Sequence, residues 1–421
     1  MHYSYICTDC QKQYSAEYIE NNDIYLCPIC GALPKNAPLN GVLEVKYDYK
    51  TVNKLYNFDY LNKNLNSSIE SIPQLFPLEY ENDRLKGISA NQLEKIKLTS
   101  LLTSIEYNKN KLYVLDDSRN PTFSYKDRAS VLVAIKALQL GKNSVICAST
   151  GNAGSSIAGI CSRLGLKSII FVPEKIPIPK KLQIEMYGAD LIKVNGDYDL
   201  AFDLSLVFTE KLKMYNRNTA YNPLTIEGKK TAAYDIYSKF WEEGIPNLII
   251  VPAGDGVILG GIYKGFKDLL EIGLIKKIPK LVAAQPSNGC AIIDYFETKV
   301  FNYKSSETIA DSLSAGAPRN LYMAAKAIIE SEGTGVRVDD DDTLFYQRVL
   351  SSNYGMLVEP AASITLAAYD KLLQSGFIKD TDKVLLLLTG NGLKDTKSFE
   401  RYAKEDKVFT ESDIYEHFGI N

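Results

Sequence analysis

From about residue 111 onwards, short apolar runs alternate with segments of helical periodicity. The runs typical of strands are KLYVLDD, SVICAST, KSIIFVP, DLIKV, NLIIVPA, KLVAAQP and KVLLLLTG. Helices are predicted after SVICAST as far as Leu164, in PKKLQIEMYGA and in IYKGFKDLL. Because helical segments between strands imply crossover connections, this pattern predicts an α/β protein with parallel sheets.

The segment before this alternation has a different character. Residues 46–110 are rich in Tyr, Asn and Lys, and we interpret them as a lead-in that wraps around the main body. Further along, the acidic run DDDD at 339–342 is typical of a solvated loop.

Composition and charge narrow the class of protein. The chain has 421 residues, 45% of them hydrophobic, which is enough for two or three domains with separate cores. A net charge of -3 does not favour nucleic-acid binding, and no apolar run approaches the ~20 residues that span a membrane. The N-terminal MHYSYICTDC lacks the features of a secretory signal. We therefore expect a cytoplasmic protein that binds neither nucleic acid nor membrane.

Four of the seven cysteines form two CxxC pairs near the N-terminus. Cys7 and Cys10 are separated from Cys27 and Cys30 by sixteen residues. Two such pairs can supply the four thiolates of a tetrahedral Zn²⁺ site. We predict a zinc-ribbon-like module over residues 1–45; the alternative is a ribbon that has kept its cysteines but not its metal.

Histidine is scarce, which limits the available chemistry. The two histidines are His2 and His417, one near each end of the chain. A Ser-His-Asp triad or a histidine-rich catalytic zinc site is therefore not expected. Proton transfer at neutral pH must come from a lysine, a tyrosine, a carboxylate or a cofactor.

Lys126, in NPTFSYKDRAS, is the candidate catalytic residue. A lysine that forms a Schiff base must lie close to a carbonyl group and lose its proton easily, and burial beside a sheet achieves both. The alternative is a surface lysine in a loop that precedes a helix starting near Asp127.

Three glycine-containing loops, STGNAGSS, PAGDGVILGG and TGNGLKD, follow predicted strands. Ligands of parallel sheets bind beyond such strand ends. The first loop precedes a helix and could hold a carboxylate, while Asn152 could donate to a phenolic oxygen. The second is neither a P-loop nor GxGxxG, but its glycines would let backbone amides approach a phosphate. Thr389, in the third loop, supplies a neutral hydroxyl.

These motifs, together with YNPLTIEGKKTAAYDI, resemble those of threonine synthase and its relatives, which are pyridoxal-phosphate (PLP) enzymes of the tryptophan-synthase-β-like fold, also called fold type II. The resemblance runs from roughly residue 75 to 400, and an N-terminal cysteine ribbon also occurs in some members. It implies two open parallel-sheet domains: a large PLP-binding domain of residues 46–127 and 223–421, and a small α/β domain of residues 128–222. It also implies a homodimer acting on a small amino acid, with packing against a partner subunit as an alternative.

The resemblance also implies individual roles. Lys126 would hold the cofactor aldehyde and then shuttle a proton, and Thr389 would face the pyridine nitrogen. A neutral partner there favours elimination and replacement over transamination. The further cofactor ligands implied are Asn152, Gly254, Asp255, Gly256 and Val257. The substrate ligands implied are Ser149, Thr150, Gly151, Ala153 and Asn222.

Threonine synthase converts O-phospho-L-homoserine and water into L-threonine and phosphate, and this chain departs from its pattern. Ala153 replaces a typical threonine and Thr225 a usual arginine, both of which are thought to serve the substrate phosphate. Val257 and Ile258 replace the usual Gly and Asn. The residues considered as substitute phosphate ligands are Lys180, Lys181, Arg163 and Arg217.

Two alternatives to threonine synthase follow. The first is a PLP enzyme that performs β-elimination, β-replacement or thiolase-type chemistry on another amino acid, such as a dehydratase or a β-replacing synthase. The second is a nucleic-acid-binding ribbon protein with a decayed catalytic domain. Intact Lys126, Asn152 and Thr389 argue against the second.

Overall fold

The computed structural model describes residues 2–149, 151–174, 176–196, 198–403 and 408–420. Its N-terminal module is a three-stranded antiparallel sheet in the order β2-β1-β3. The elements are β1 (Tyr3–Cys7), β2 (Gln13–Ser15), α1 (Ala16–Asn21) and β3 (Leu43–Tyr47). Alternate residues of β1 are buried, because one face of this small sheet packs on its own core and the other is partly open.

The lead-in contains regular structure and contributes an edge strand to the main sheet. Its elements are α2 (Tyr49–Leu55), α3 (Phe58–Asn64), β4 (Tyr80–Glu81), β5 (Arg84–Leu85), α4 (Ala90–Lys95), β6 (Leu101–Tyr107) and β7 (Asn110–Asp116). Strand β6 pairs antiparallel with β7. This edge of the sheet therefore departs from the parallel pairing of its other strands, because a short hairpin at Asn108 and Lys109 replaces a helical crossover.

A four-stranded parallel sheet in the order β10-β9-β8-β11 follows. Its elements are α5 (Lys126–Gln139), β8 (Ser144–Ala148), α6 (Asn152–Leu164), β9 (Lys167–Pro173), α7 (Ile178–Met186), β10 (Asp190–Val194), α8 (Tyr198–Leu212) and β11 (Tyr215–Asn216). All four strands lie within the predicted small domain, residues 128–222. The boundaries of that domain stay a prediction.

The second sheet has six strands in the order β14-β13-β12-β15-β7-β6. Its remaining elements are α9 (Leu224–Lys229), α10 (Thr231–Phe240), β12 (Leu248–Pro252), α11 (Val257–Glu271), β13 (Lys280–Pro286), α12 (Ala291–Thr298), α13 (Leu321–Glu330), β14 (Thr334–Val338), α14 (Asp340–Tyr354), α15 (Pro360–Gln374) and β15 (Val384–Leu388). Apart from β6, the strands are parallel. In β15, Leu385 and Leu387 enter one core cluster, while Leu386 and Leu388 enter another. The run VLLLL is uninterrupted because both faces of the sheet are covered.

Short 3₁₀ helices and a last helix, α16 (Glu411–Phe418), complete the described parts of the chain. The 3₁₀ segments are Pro73–Leu75, Asp117–Arg119, Ser287–Gly289, Asp311–Leu313, Gly392–Lys394 and Thr396–Tyr402. The prediction of a loop at DDDD is wrong. Asp339 occupies the N-cap position of α14, and the next three aspartates form the first turn of this helix, where negative charge is favourable. Within the described ranges, no helix is both long and apolar enough to cross a membrane.

Candidate active site

A cavity of about 530 Å³ lies where loops from both parallel sheets meet. It is lined by most of the predicted site residues: Lys126, Ser149, Gly151, Asn152, Ala153, Gly254, Asp255, Gly256 and Val257. Thr150 lies outside the described residues. A second groove, of about 570 Å³, is lined by His2 and residues of the segment 73–86 and contains none of these residues. Only the first cavity combines the predicted loops and the lysine, so it is the candidate site.

Lys126 is the first residue of α5, and the residues before it are held by a dense set of hydrogen bonds. Thr122 donates both its backbone N–H (2.7 Å) and its hydroxyl to the Asp127 carboxylate, which also accepts from Ser156 Oγ at 2.6 Å. The Tyr125 backbone N–H donates to Thr389 O at 2.8 Å. The motif NPTFSYKDRAS therefore fixes the start of the helix, and with it the position of Lys126.

The Lys126 ammonium group has no hydrogen bond or ion pair within the described part of the chain. Burial, together with the positive charge of Arg217, lowers its pKa to about 8; Asp255 and Glu359 act in the opposite direction. A lysine with this pKa exists partly as the neutral amine at physiological pH, which is the form that attacks a carbonyl. The side chain faces the cavity, so the site fits an aldehyde bound to Lys126.

The loop before α6 presents uncapped backbone donors to the cavity. Gly151 occupies the N-cap position without a side-chain cap, and the N–H groups of Asn152 and Ala153 find no acceptor in the described ranges. Asn152 Nδ2 donates to Glu359 Oε2 at 2.6 Å, whereas its buried Oδ1 has no partner among the residues described. An anion such as a carboxylate fits this helix terminus.

The loop between β12 and α11 is a stronger anion cradle. None of the backbone N–H groups of residues 254–259 donates to an acceptor in the part of the chain that the structure describes. Gly256 has φ +83°, and a Cβ there would lie 2.8 Å from the Ala324 Cβ. A phosphate group fits this loop, because the backbone N–H groups are available to donate and the helix dipole favours negative charge. The glycines also allow the phosphate to approach the backbone closely.

The cavity lining contains none of Asn222, Thr225 and Thr389, nor any of the substitute phosphate ligands considered from the sequence, which are Lys180, Lys181, Arg163 and Arg217. Asn222 uses its amide locally, donating to Asn216 O at 2.7 Å and accepting from Leu224 N at 2.8 Å. Thr225 is fully buried and donates to Asn222 O at 2.7 Å. Thr389 is buried, and its hydroxyl has no hydrogen bond among the described residues. Substrate binding by Asn222 and the role of Thr389 stay predictions.

Glu359 is a residue of the site that the sequence did not indicate. It is 2% exposed, accepts from Asn152, and forms an ion pair of 3.2 Å with Lys180 Nζ. Lys180 also pairs with Asp311 at 3.1 Å, so α7 is tied to two segments of the other half of the molecule. A Cβ on Gly390 would overlap the Glu359 carboxylate, which explains a glycine in TGNGLKD. The nearest sequence signal was this glycine-containing loop, whereas Glu359 itself is the N-cap residue of α15 and lies outside the three loops.

Lys229 is a second residue that sequence reasoning missed. It lines the cavity, is 0% exposed, and its Nζ has no hydrogen-bond partner in the described parts of the chain. Burial lowers its pKa well below the usual value for lysine, and the positive charges of Lys126 and Arg217 lower it further. It lies within the quoted motif YNPLTIEGKKT, but the sequence does not show which of the two adjacent lysines is unpaired.

The N-terminal module also reaches the cavity. Asn36, in the loop that follows the second cysteine pair, contributes to the lining. Nearby, the Leu39 backbone N–H donates to Arg319 O at 3.1 Å, and Leu39 packs with Val257 and Ile226. The N-terminal module therefore packs against the rest of its own chain.

The four paired cysteines converge at one end of this module. Their Sγ atoms all lie within 4.8 Å of one another, and Cys7 and Cys30 approach to 3.4 Å. Cys10 and Cys27 are 3.6 Å apart. Sulfur atoms around a tetrahedral Zn²⁺ are separated by about 3.8 Å, as follows from Zn–S bonds of about 2.3 Å. The cluster thus has the dimensions of a four-thiolate metal site.

Comparison with solved structures defines the fold class. Maize serine racemase superimposes with a TM-score of 0.62 at 18% identity, covering 76% of this chain and 92% of that one. O-ureido-L-serine synthase gives 0.62 at 17% identity, covering 77% and 98%. A fungal L-serine ammonia-lyase from Rhizomucor miehei gives 0.61 at 20% identity, covering 73% and 99%. The fold is that of these fold type II enzymes.

Sequence comparison establishes the family. The family described as "Pyridoxal-phosphate dependent enzyme" matches residues 93–390, so this chain belongs to it and is an enzyme. Threonine synthase of Methanocaldococcus jannaschii is 32% identical over 425 residues, covering 97% of this chain and 96% of that protein. Threonine synthase of Methanosarcina acetivorans is 30% identical over 406 residues, covering 96% and 95%. The resemblance stated from the motifs is thereby confirmed.

Proposed function

We propose that this enzyme is a PLP-dependent carbon–oxygen lyase of the threonine synthase type, which converts O-phospho-L-homoserine and water into L-threonine and phosphate. The observation that carries the proposal is an unpaired lysine with a pKa of about 8 in a cavity lined by two uncapped helix N-termini. Two threonine synthases aligned over nearly the whole chain support the choice of reaction.

PLP, when bound, supplies an electron-withdrawing ring that makes the protons at Cα and Cβ of an amino acid removable. The N–H groups at the start of α6 would bind the substrate carboxylate and orient its Cα. Lys126 Nζ would hold the cofactor, accept a proton as the neutral amine and later return it. The amides of residues 254–257 would hold the cofactor phosphate. The buried hydroxyl of Thr389 would offer the pyridine nitrogen an uncharged partner.

The direct test supplies O-phospho-L-homoserine to the PLP-loaded enzyme and measures phosphate and threonine together. We expect the two products in equal amounts, and neither from the Lys126→Ala variant. Lys126→Ala should also lose the visible absorption band of the covalently bound cofactor. Absence of both products at high enzyme concentration would rule out this reaction while leaving the PLP assignment standing.

The environments of Thr225 and Ala153 favour a second candidate reaction. Its hydroxyl is engaged with the Asn222 carbonyl, and Ala153 lines the cavity without a polar side chain. Neither residue therefore supplies the phosphate contact that the family pattern suggests. The second candidate is β-elimination or β-replacement on an amino acid without a phosphate, such as serine or threonine. Release of 2-oxo acid and ammonia from these amino acids, without turnover of O-phospho-L-homoserine, would select it.

We also propose that the four-cysteine cluster of the N-terminal module binds one structural Zn²⁺. The mutual approach of the four Sγ atoms supports this, and three thiolates would leave the coordination shell incomplete. Metal analysis of protein produced with ample zinc should give about one zinc per chain. Cys10→Ser should lower this value, whereas Cys290→Ser, outside the cluster, should not. A wild-type value near zero would contradict the proposal.

A further inference from the structure

Among the residues that the structure describes, Lys229 differs from the other buried lysines in having no hydrogen-bond or ion-pair partner. Six lysines in the described ranges are buried: Lys136, Lys180, Lys229, Lys230, Lys264 and Lys394. Five of them have a carboxylate or oxygen acceptors within hydrogen-bond or ion-pair distance. Only the Nζ of Lys229 has none. Because a buried ammonium is stable only beside an opposite charge, such a group in an enzyme cavity is suited to binding an anion.

The charges around Lys229 point to the same conclusion. Lys126 and Arg217 are the two cations that act on it most strongly, and Arg217 Nη2 is also buried without a partner. The carboxylate of Asp255 opposes their effect on the pKa of Lys229. Other acids of the cavity are already paired, Asp199 with Arg319 and Asp311 with Lys180. This part of the cavity therefore carries an excess of positive charge.

The packing of α9 places Lys229 beside the anion cradle. A Cβ on Gly261, in the first turns of α11, would lie 2.8 Å from the Lys229 Cβ. The Tyr125 hydroxyl donates to Lys229 O at 2.7 Å, which fixes its backbone next to the residue preceding Lys126. Lys229 is therefore in contact with Tyr125, which precedes Lys126, and with α11. The open amides at residues 254–259, at the start of that helix, lack acceptors among the described residues.

We propose that Lys229 Nζ donates a charge-assisted hydrogen bond to a phosphate monoester bound in this cavity. The inference rests on the proposed function, because the phosphate belongs either to the cofactor or to the substrate of that reaction. In the second case, Lys229 supplies the cation that Thr225 and Ala153 do not. Lys229 would then be a specificity-determining residue of this chain.

The test compares Lys229→Gln with Lys239→Gln, which makes the same change at an exposed lysine of α10. Removing an unpaired buried charge should leave the apoprotein as stable as the wild type or more stable, as measured by thermal unfolding. Affinity for the phosphate should nevertheless fall about tenfold to a hundredfold, the effect of losing one hydrogen bond to a charged group. Should Lys229→Gln fail to fold, Lys229→Met, which matches the side-chain volume, takes its place.

Two phosphate compounds, each compared with its phosphate-free counterpart, distinguish the source of the phosphate. If the cofactor supplies it, Lys229→Gln apoprotein loses affinity for PLP but not for pyridoxal, which lacks the phosphate. If the substrate supplies it, PLP affinity is unchanged and the holoenzyme binds O-phospho-L-homoserine more weakly, but not L-homoserine. Inorganic phosphate should stabilise the wild-type apoprotein more than the variant in either case. Equal binding of all three phosphate compounds by variant and wild type would overturn the proposal.

The binding measurements do not depend on turnover. If wild-type enzyme does not convert O-phospho-L-homoserine while Lys229→Gln still weakens binding of PLP or inorganic phosphate, the proposed reaction fails and the role of Lys229 stands. If turnover is normal and all affinities are unchanged, the reaction stands and the role of Lys229 fails.

Discussion

At the scale of single residues, two adjacent lysines show how strongly the environment controls chemistry. Lys230 Nζ lies 2.7 Å from Asp268 and 2.9 Å from Glu227, and it is a structural ion-pair partner. Lys229, one position earlier, has no partner among the described residues and a pKa well below the normal range. Consecutive residues of a helix point in directions about 100° apart, so one lysine enters the charged core and the other the cavity.

The pKa of Lys126 yields a prediction about pH. With a pKa of about 8, roughly one tenth of this amine is neutral at pH 7, against less than about one thousandth for an unshifted lysine. Only the neutral amine reacts with the cofactor aldehyde, so the rate at which PLP reconstitutes the apoenzyme should rise with pH and level off above a midpoint near 8. Stopped-flow absorbance measures this rate. A midpoint close to 10.5 would show that burial does not activate Lys126.

At the scale of elements, α11 has a positive-φ glycine at each end, and only one of them faces the cavity. Gly256 precedes the helix with φ +83°, and Gly273 follows it with φ +80°. A Cβ on Gly256 would lie 2.8 Å from Ala324 Cβ, whereas a Cβ on Gly273 would meet nothing within 4 Å. The two positions share backbone strain but differ in packing and in contact with the proposed phosphate.

Substitution of these two glycines distinguishes the effect of backbone strain on stability from the effect on PLP binding. Gly273→Ala should cost about 1 kcal/mol of stability, because an L-residue is strained in the left-handed region. Gly256→Ala should cost more, since overlap with Ala324 adds to the strain, and it should also weaken PLP binding by displacing the amides of the cradle. Urea unfolding of the apoproteins and PLP titration measure the two effects. Equal PLP affinity in both variants would argue against residues 254–257 as the phosphate site.

At the scale of the whole molecule, the N-terminal module is joined to the catalytic body through buried polar contacts. Lys136 of α5 donates to Glu20 Oε2 at 3.0 Å, and Tyr3 and Tyr5 donate to the same carboxylate. Burial lowers the pKa of Lys136, and Glu20 opposes that shift. Because α5 begins at Lys126, the module contacts the helix that carries the proposed catalytic lysine.

Disruption of this network should destabilise the enzyme. Glu20→Gln should cost about 3–5 kcal/mol, because it leaves the buried Lys136 ammonium without its counter-charge. The matched control is Asp23→Asn, which removes a more exposed ion pair with Lys142 across the same interface and should cost no more than about 1 kcal/mol. Urea denaturation measures the free energy of unfolding of both variants. Equal effects of the two substitutions would show that the buried network does not hold the module.

Much of the fold could be predicted from the local pattern of apolar and polar residues in the sequence. The predicted strands from KLYVLDD to KVLLLLTG all occur, because an uninterrupted apolar run between helices is stable only inside a covered parallel sheet. The antiparallel strand β6 and the helix at DDDD were not predicted from the sequence. In β6 only Ile105 is fully buried, so its apolar signal was weak, and the acidic run is favourable both in solvent and at a helix N-terminus.

By itself, the sequence determined the α/β class, the cysteine cluster, Lys126 and the glycine-containing loops, because each depends on residues close together in the chain. Only the tertiary structure decided which polar groups remain without partners around the cavity. Glu359 pairs with Asn152 across 207 positions, and Lys229 stays unpaired beside a paired Lys230. Pairing inside a protein depends on long-range packing, and a buried charge becomes a binding group only where that packing leaves it unsatisfied.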